Sequence, residues 1–169
     1  LDTKFLFHNL DHTKSVVLGI ETLCKAEKLD EETKTVLLLA GWFHDAGYIE
    51  CSDEHELQSV DIALEFLRAK NIAVGIQENV AKLIMATKFD YTPSNKSENI
   101  IKDADNVHLA NKNYPNTLEQ LRNEWEQSIN KKYCNEDWYH LNVEFLKKHQ
   151  YYTKFAKDNW QNLKELNLN

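Results

Sequence analysis

Glycine and proline are scarce in this chain, and their scarcity constrains the possible folds more than any other feature of the sequence. Four glycines and two prolines occur in 169 residues, whereas average usage would give about 20 of the two types together. Sandwiches and barrels of short strands need a turn roughly every 8 to 12 residues, and such turns rely on these residues. The sequence therefore predicts long, uninterrupted helices and an all-α fold.

Length and charge narrow the class further. A chain of 169 residues is long enough for one domain with a substantial core, and we expect a single domain over residues 1–169. The net charge of −7 argues against nucleic acid as a partner. The longest strongly apolar run, residues 36–43, is far shorter than the roughly 20 residues that span a bilayer, so we expect no membrane partner. Association into oligomers stays open.

The first residue and the cysteines lead to two more expectations. The chain opens on Leu1 and its only methionine is Met85, so we expect some N-terminal residues to be missing. Cys24, Cys51 and Cys134 are odd in number, form no close pair and have neither zinc-finger nor redox spacing. A reducing cytoplasm is the simplest setting for such cysteines.

Apolar residues at helical spacing predict a succession of helices. The second of them, with an N-cap at Asp30 and an end near Gly47, is apolar nearly all round, so we expect it at the buried centre of the fold. A third helix should begin at Ser52 or Asp53 and bury Leu57. The other predicted helices cover residues 8–28, 72–88 and about 100–109 and two longer stretches within 117–166, with breaks at 90–97 and 113–116.

Three groups of histidines and aspartates stand out against this helical background. His8 and His12 are four residues apart at the start of the first helix, so they share one face. His44 and Asp45 follow the most apolar segment, where a charged carboxylate must be paired, hydrogen-bonded or bound to a metal. Asp105 lies near the apolar face of the fifth helix, where a buried carboxylate would need a cation.

The order of these residues, His12, then His44-Asp45, then Asp105, resembles the HD superfamily of metal-dependent phosphohydrolases. The resemblance implies a bundle of about six to eight helices in which these four residues bind one divalent metal ion. Imidazole nitrogens and carboxylate oxygens leave Mn, Mg, Zn, Ni, Co and Fe open as that metal. Asp103, which we expect to be exposed, is the alternative to Asp105 as a ligand.

Two closer resemblances assign further roles. Residues 7–13, FHNLDHT, resemble the Tyr-His-Asn-x-x-His stretch of cyclic-nucleotide phosphodiesterases, where the second histidine binds metal and the first protonates the leaving group. This resemblance implies that His12 is a ligand and His8 a general acid. Nearly the whole chain also resembles small bacterial proteins described as predicted metal-dependent HD phosphohydrolases. The shared segments are HNLDHT, LAGWFHDAGY, His55-Glu56 with Ser59, Ala86-Thr87, KDAD and a tail like YTKFAKDNWQNLKEL.

The resemblance to the phosphodiesterases fails at the position that serves their second metal. Those enzymes carry a further histidine four residues after the HD aspartate, and this chain has Ile49 there. The Glu-Asp pair of guanosine-tetraphosphate hydrolases and the Gly-Tyr-Pro signature of cyclic-di-GMP phosphodiesterases are also missing. A second metal is therefore open and would need His55 or Glu56 as a ligand.

The remaining polar residues have both a functional and a structural interpretation. Asp45 or Glu56 would accept a proton from the attacking water, and His55 and Lys88 would bind substrate. Glu56 and His55 are equally typical of a first helical turn, and Lys88 of an exposed helix end. The aromatic residues of the C-terminal third are more often packing residues, although some would wall a pocket and stack on a base.

Three functions follow from these assignments. The leading hypothesis is metal-dependent hydrolysis of a phosphoester or phosphoanhydride bond, with a small, nucleotide-like phosphorylated molecule as the substrate. The alternative is a non-catalytic module that senses nucleotides or metals on the same scaffold. An HD-type di-iron oxygenase ranks lowest, because it needs more histidine and carboxylate ligands than these four.

Overall fold

Helices make up the fold in the part of the chain that the computed structural model describes, which is residues 5–49, 54–128 and 132–168. No strand occurs among these residues, so the all-α prediction is confirmed. The α-helices are α1 (Leu10–Glu27), α2 (Glu31–Phe43), α3 (His55–Ala69), α4 (Val74–Met85), α5 (Lys96–Asp105), α6 (Tyr114–Ser128), α7 (Asn135–Lys148), α8 (Lys154–Asn159) and α9 (Gln161–Leu166). Short 3₁₀ helices cover Ala46–Ile49 and Asn106–Ala110.

Side-chain caps explain where the first two helices begin. Oδ1 of Asn9 accepts hydrogen bonds from the backbone amides of Asp11 and His12, and this cap places His12 in the first turn of α1. Oδ1 of Asp30 accepts from the amide of Thr33 at 2.8 Å, as the predicted N-cap requires. The predicted start of the third helix at Ser52 or Asp53 lies outside the described residues.

The main core forms where α2 packs against α1, α3, α4 and α5. The predicted central position of α2 is confirmed, because Leu37 and Ala40 are fully buried. The helix is not buried all round, however, since Trp42 on its other face is 47% exposed. The expected burial of Leu57 is wrong, because that side chain is 43% exposed. The core of α3 is formed instead by Ala63 and Leu67.

Two glycines allow neighbouring backbone segments to approach each other closely beside the predicted metal ligands. A Cβ at Gly19 would lie 3.3 Å from Ala104, so α1 and α5 come into close contact there. A Cβ at Gly47 would lie only 2.0 Å from the carbonyl oxygen of His55, which no side chain can tolerate. Gly47 also donates its amide to Oγ of Ser59 at 2.8 Å, and this bond ties the segment after Asp45 to α3.

The C-terminal third differs most from the prediction. The two expected long helices are four in the structure, α6 to α9, and the expected break at 113–116 is wrong, because α6 begins at Tyr114 and includes Pro115. Proline is tolerated in the first turn of a helix, where its missing N–H has no partner to lose. α6 and α7 build a second apolar cluster around Trp138, which is fully buried.

Asp103 connects this C-terminal third to the main core. The expectation that it is exposed is wrong, because its side chain is completely buried. Its carboxylate accepts hydrogen bonds from the amide of Tyr152 at 2.8 Å and from the amide and hydroxyl of Thr153, each at 2.7 Å. The role of Asp103 is therefore to hold the segment before α8 against α5.

Among the described helices, none is both long enough and apolar enough to cross a membrane.

Candidate metal centre and cleft

Three helices bring the four predicted ligands to one point. His12 lies in the first turn of α1, His44 caps the C-terminus of α2 with Asp45 directly after it, and Asp105 is the last residue of α5. Nδ1 of His44 lies 2.9 Å from the carbonyl oxygen of Gly41. Nδ1 therefore carries the hydrogen in the neutral ring, and Nε2 presents its lone pair to the cluster.

The imidazole Nε2 atoms of His12 and His44 lie at nearly equal distances from each other and from one carboxylate oxygen of each aspartate. Nε2 of His12 is 3.3 Å from Nε2 of His44, 3.3 Å from Oδ2 of Asp45 and 3.3 Å from Oδ1 of Asp105. Nε2 of His44 is 3.1 Å from Oδ2 of Asp45 and 3.4 Å from Oδ1 of Asp105. Ligands about 2.1 Å from a shared ion at tetrahedral angles would be about 3.4 Å apart. The spacing therefore fits a single metal ion.

Hydrogen bonding among the four residues is incomplete, which also favours a metal. Oδ2 of Asp45 is buried and has no hydrogen-bond partner among the residues that the structure describes, although it lies within 3.3 Å of two imidazole nitrogens. A buried carboxylate oxygen without a partner is costly, and a cation at the centre of the cluster would remove that cost. His12, His44 and Asp105 meet the geometric requirement for a metal-binding group by themselves.

Charge coupling within the cluster shifts the pKa of every member. Burial lowers the pKa of His12 and His44, but the neighbouring carboxylates outweigh burial and raise both above the ordinary value. Burial raises the pKa of Asp45 and Asp105, but the two imidazoles outweigh it and hold both well below the ordinary value. The carboxylates are thus ionised beside the imidazoles, and a divalent cation bound between them would take the place of the imidazole protons, because a histidine that ligates a metal must be neutral.

His8, the predicted general acid, is paired with a carboxylate that the sequence did not reveal. Nδ1 of His8 forms a short hydrogen bond with Oε1 of Glu124, which lies in α6. Oε2 of Glu124 accepts from the backbone amides of Phe7 at 2.8 Å and His8 at 3.0 Å. Burial raises the pKa of Glu124, but its bonds with His8 and these amides outweigh burial and lower it. The ring of Tyr48 stacks on His8 with a centroid distance of 3.9 Å.

His55 and Glu56 lie at the edge of the metal centre. Nε2 of His55 is 3.6 Å from Oδ1 of Asp45 and 3.7 Å from Oε1 of Glu56. The carboxylate oxygen of Asp45 that faces His55 is thus not the one that faces His12 and His44. The structure brings His55 and Glu56 close to Asp45, where both line the same cleft.

Lys102 lies at the wall of the cleft and contacts the backbone of Lys88, the lysine that we predict to bind substrate. Lys102 lines the cleft and is 7% exposed, whereas Lys88 is not among the lining residues. The ammonium group of Lys102 donates a short hydrogen bond to the carbonyl oxygen of Lys88, and burial lowers its pKa. Glu124 had no signal in the sequence, because it lies in a stretch of mixed charges typical of a solvated helix face. Lys102 begins the shared KDAD segment, but there only the aspartates were interpreted as functional residues.

A cleft of about 1070 Å³ opens from the metal centre toward the C-terminal helices. One end contains Asp45, Glu56, Asp105 and the imidazole of His8. Aromatic residues supply much of the rest of its wall, namely Phe89, Tyr114, Trp125, Tyr133, Phe145, Tyr151 and Tyr152. The cleft can therefore hold a molecule much larger than a phosphate group.

Comparison with known proteins identifies one family. A family model described as "HD domain" matches residues 9–110, more than half of the chain. The matched range contains His12, His44, Asp45 and Asp105 and stops before α6, so Glu124 and much of the aromatic wall lie beyond it. Neither the comparison with curated proteins nor that with solved structures gives a match.

Proposed function

Since the chain belongs to the HD-domain family, we propose that it hydrolyses a phosphoester or phosphoanhydride bond in a small, nucleotide-like substrate. The family implies metal-dependent phosphohydrolase activity in general. The observation that carries the proposal for this chain is the convergence of two histidines and two aspartates: the Nε2 atoms of His12 and His44 lie 3.3 Å apart, and each lies 3.1–3.4 Å from a carboxylate oxygen of Asp45 and of Asp105. The three cysteines of the sequence favour a reducing cytoplasm as the setting.

The four residues fit a divalent metal ion of the series from manganese to zinc, or magnesium. Such an ion, when bound, supplies positive charge that polarises a phosphoryl oxygen and lowers the pKa of water. His12 and His44 hold the nitrogen side of the site, and Asp45 and Asp105 hold the oxygen side. Nε2 of His55 lies 3.6 Å from the second carboxylate oxygen of Asp45, so a second metal ion held by these two residues stays an open alternative.

Proton transfer is assigned to residues around this site. Glu56 lines the cleft beside His55, with Oε1 3.7 Å from Nε2 of His55, and it is assigned to accept the proton of the attacking water, with Asp45 as the alternative. His8 donates a proton to the leaving oxygen. Glu124 orients the imidazole of His8 through the hydrogen bond between Nδ1 of His8 and its Oε1.

Variants that separate metal binding from turnover test the proposal. His44→Ala and Asp45→Ala should lose both bound metal and activity, whereas His8→Ala should keep the metal and lose turnover by about 10² to 10⁴-fold. Elemental analysis of the purified protein gives the metal content, and a panel of phosphoesters and nucleotides with Mn, Mg, Ni or Co gives the activity. Asp61→Ala, an exposed aspartate on α3, is the matched control and should change neither.

Two results would overturn the assignment. One is loss of metal in His8→Ala together with retention of metal in Asp45→Ala. The other is metal-loaded protein that turns over nothing in the panel while nucleotides still raise its melting temperature, which is the behaviour of a sensing module.

A further inference from the structure

The wall of the cleft opposite the metal centre contains an unusually exposed aromatic side chain. Phe89, in the segment after α4, is 84% exposed, the highest value among the large hydrophobic side chains of the described residues. Its ring nevertheless contacts Phe145 of α7, with centroids 6.0 Å apart and planes inclined by 32°. Both rings line the cleft, so an aromatic face is available there to a ligand.

The backbone connects this pair to the metal centre through Lys102. The ammonium group of Lys102 contacts the carbonyl oxygens of Lys88 and, at 3.5 Å, Phe89. Lys102 precedes Asp105 by one turn of α5, or about 4.5 Å along the helix axis. The cleft thus runs from Asp105 past a buried cation to the two phenylalanine rings.

The polar residues near the rings match a base better than a hydrocarbon. The amide side chains of Asn142 and Gln150 line the same cleft; Nδ2 of Asn142 donates a hydrogen bond to the carbonyl oxygen of Trp138, and Gln150 is exposed. Amide groups form hydrogen bonds with the edges of bases, whereas a hydrocarbon group offers them no partner. Aromatic faces stack on any base because every base has a π-face.

We propose that the Phe89–Phe145 pair binds the planar base of a nucleoside, while the phosphate of the same molecule lies at the metal centre. The placement of the phosphate at the metal centre rests on the proposed function. The new element is the pair of residues that would bind the base. Phe89 lies within the range that the family model matches, whereas Phe145 lies beyond residue 110, so one of the two rings comes from a part of the chain that the family match does not cover.

Binding of nucleosides to the metal-free protein tests the inference without any hydrolysis. Isothermal titration calorimetry with adenosine, guanosine, cytidine, uridine and ribose should detect saturable binding of at least one nucleoside and none of ribose. Phe89→Ala should weaken that binding by roughly 5- to 100-fold, the loss typical of one base–aromatic stack. Because Phe89 is so exposed, this substitution leaves the fold intact.

Two further variants separate stacking from a general effect. Phe89→Trp keeps a stacking face and should retain affinity. Phe66→Ala removes an exposed ring on α3 that contacts Phe43 and the ammonium group of Lys70 and does not line the cleft, and this substitution should leave nucleoside binding unchanged.

The inference fails if no nucleoside binds, if ribose binds as tightly as the nucleosides, or if Phe89→Ala binds them as tightly as the unmodified protein. Such a failure differs from failure of the proposed function. A protein that hydrolyses phosphoesters but does not bind nucleosides refutes only the base site, whereas one that binds nucleosides through Phe89 but hydrolyses nothing refutes only the hydrolase.

Discussion

Replacing Asp103 and replacing Asp105 should have opposite consequences, although the two aspartates are only two residues apart on α5. Two residues rotate about 200° around a helix, so their side chains leave on opposite faces. Asp105 meets the two histidines of the metal centre. Asp103 accepts three hydrogen bonds from Tyr152 and Thr153 and is completely buried.

The contacts of Asp103 give the size of the effect on stability. Three hydrogen bonds to a charged acceptor, at a lower value of about 1.5 kcal/mol each, would contribute about 4.5 kcal/mol. Burial has the largest influence on the pKa of Asp103 and raises it, which shows that burying this carboxylate costs free energy. That cost opposes the gain from the hydrogen bonds, and substitution by alanine removes it. We therefore expect Asp103→Ala to lower the free energy of unfolding by about 3 kcal/mol, or the melting temperature by about 6 to 12 °C.

Urea unfolding and elemental analysis together check this prediction. Asp103→Ala should be less stable and keep its metal, and Asp103→Asn, which retains one acceptor oxygen, should lose about half as much stability. Asp105→Ala should lose the metal. The reasoning is refuted if Asp103→Ala loses metal with unchanged stability, because Asp103 would then be the ligand and its contacts with the C-terminal segment would be unimportant.

Three other changes have expected outcomes. Glu124→Gln removes the charge behind His8, so kcat should fall by about 10²-fold with KM and metal content unchanged; an unchanged kcat would exclude the pair from proton transfer. Burial, followed by the charge of Lys164, lowers the pKa of His149 to about 3. Between pH 7 and pH 5 the unfolded chain therefore binds a proton at His149 that the folded protein does not bind. The free energy of unfolding should fall by on the order of 1 kcal/mol over this range. His149→Gln should flatten this part of the urea-midpoint profile, and an equally steep profile would contradict the assignment. Gly47→Ala should destabilise the fold by about 1 to 3 kcal/mol in thermal unfolding, since its Cβ would lie 2.0 Å from the carbonyl oxygen of His55; a melting temperature equal to that of the unmodified protein would show that the segment shifts freely.

Local signals in the sequence account for the success of the helical prediction. The scarcity of glycine and proline, the apolar spacing and the Asp30 cap act within a few residues, so they can be recognised without the rest of the chain. The same signals misled at Pro115, which the first turn of α6 accommodates, and at Leu57, whose apolar character says nothing about which face of α3 meets the core. The sequence pattern predicts that a helix forms, but the rotation of the helix about its own axis depends on the elements that pack against it.

The sequence by itself determined that the chain is helical and that His12, His44, Asp45 and Asp105 are candidate donors, because residue type alone defines a metal ligand. Only the tertiary structure decided which aspartate of α5 faces the histidines, since this depends on how α5 is rotated against α1. Tertiary structure likewise paired His8 with Glu124, 116 residues away, and placed Lys102 and Phe89 at the wall of the cleft. Such contacts join segments that are remote in the chain, and no local pattern encodes them.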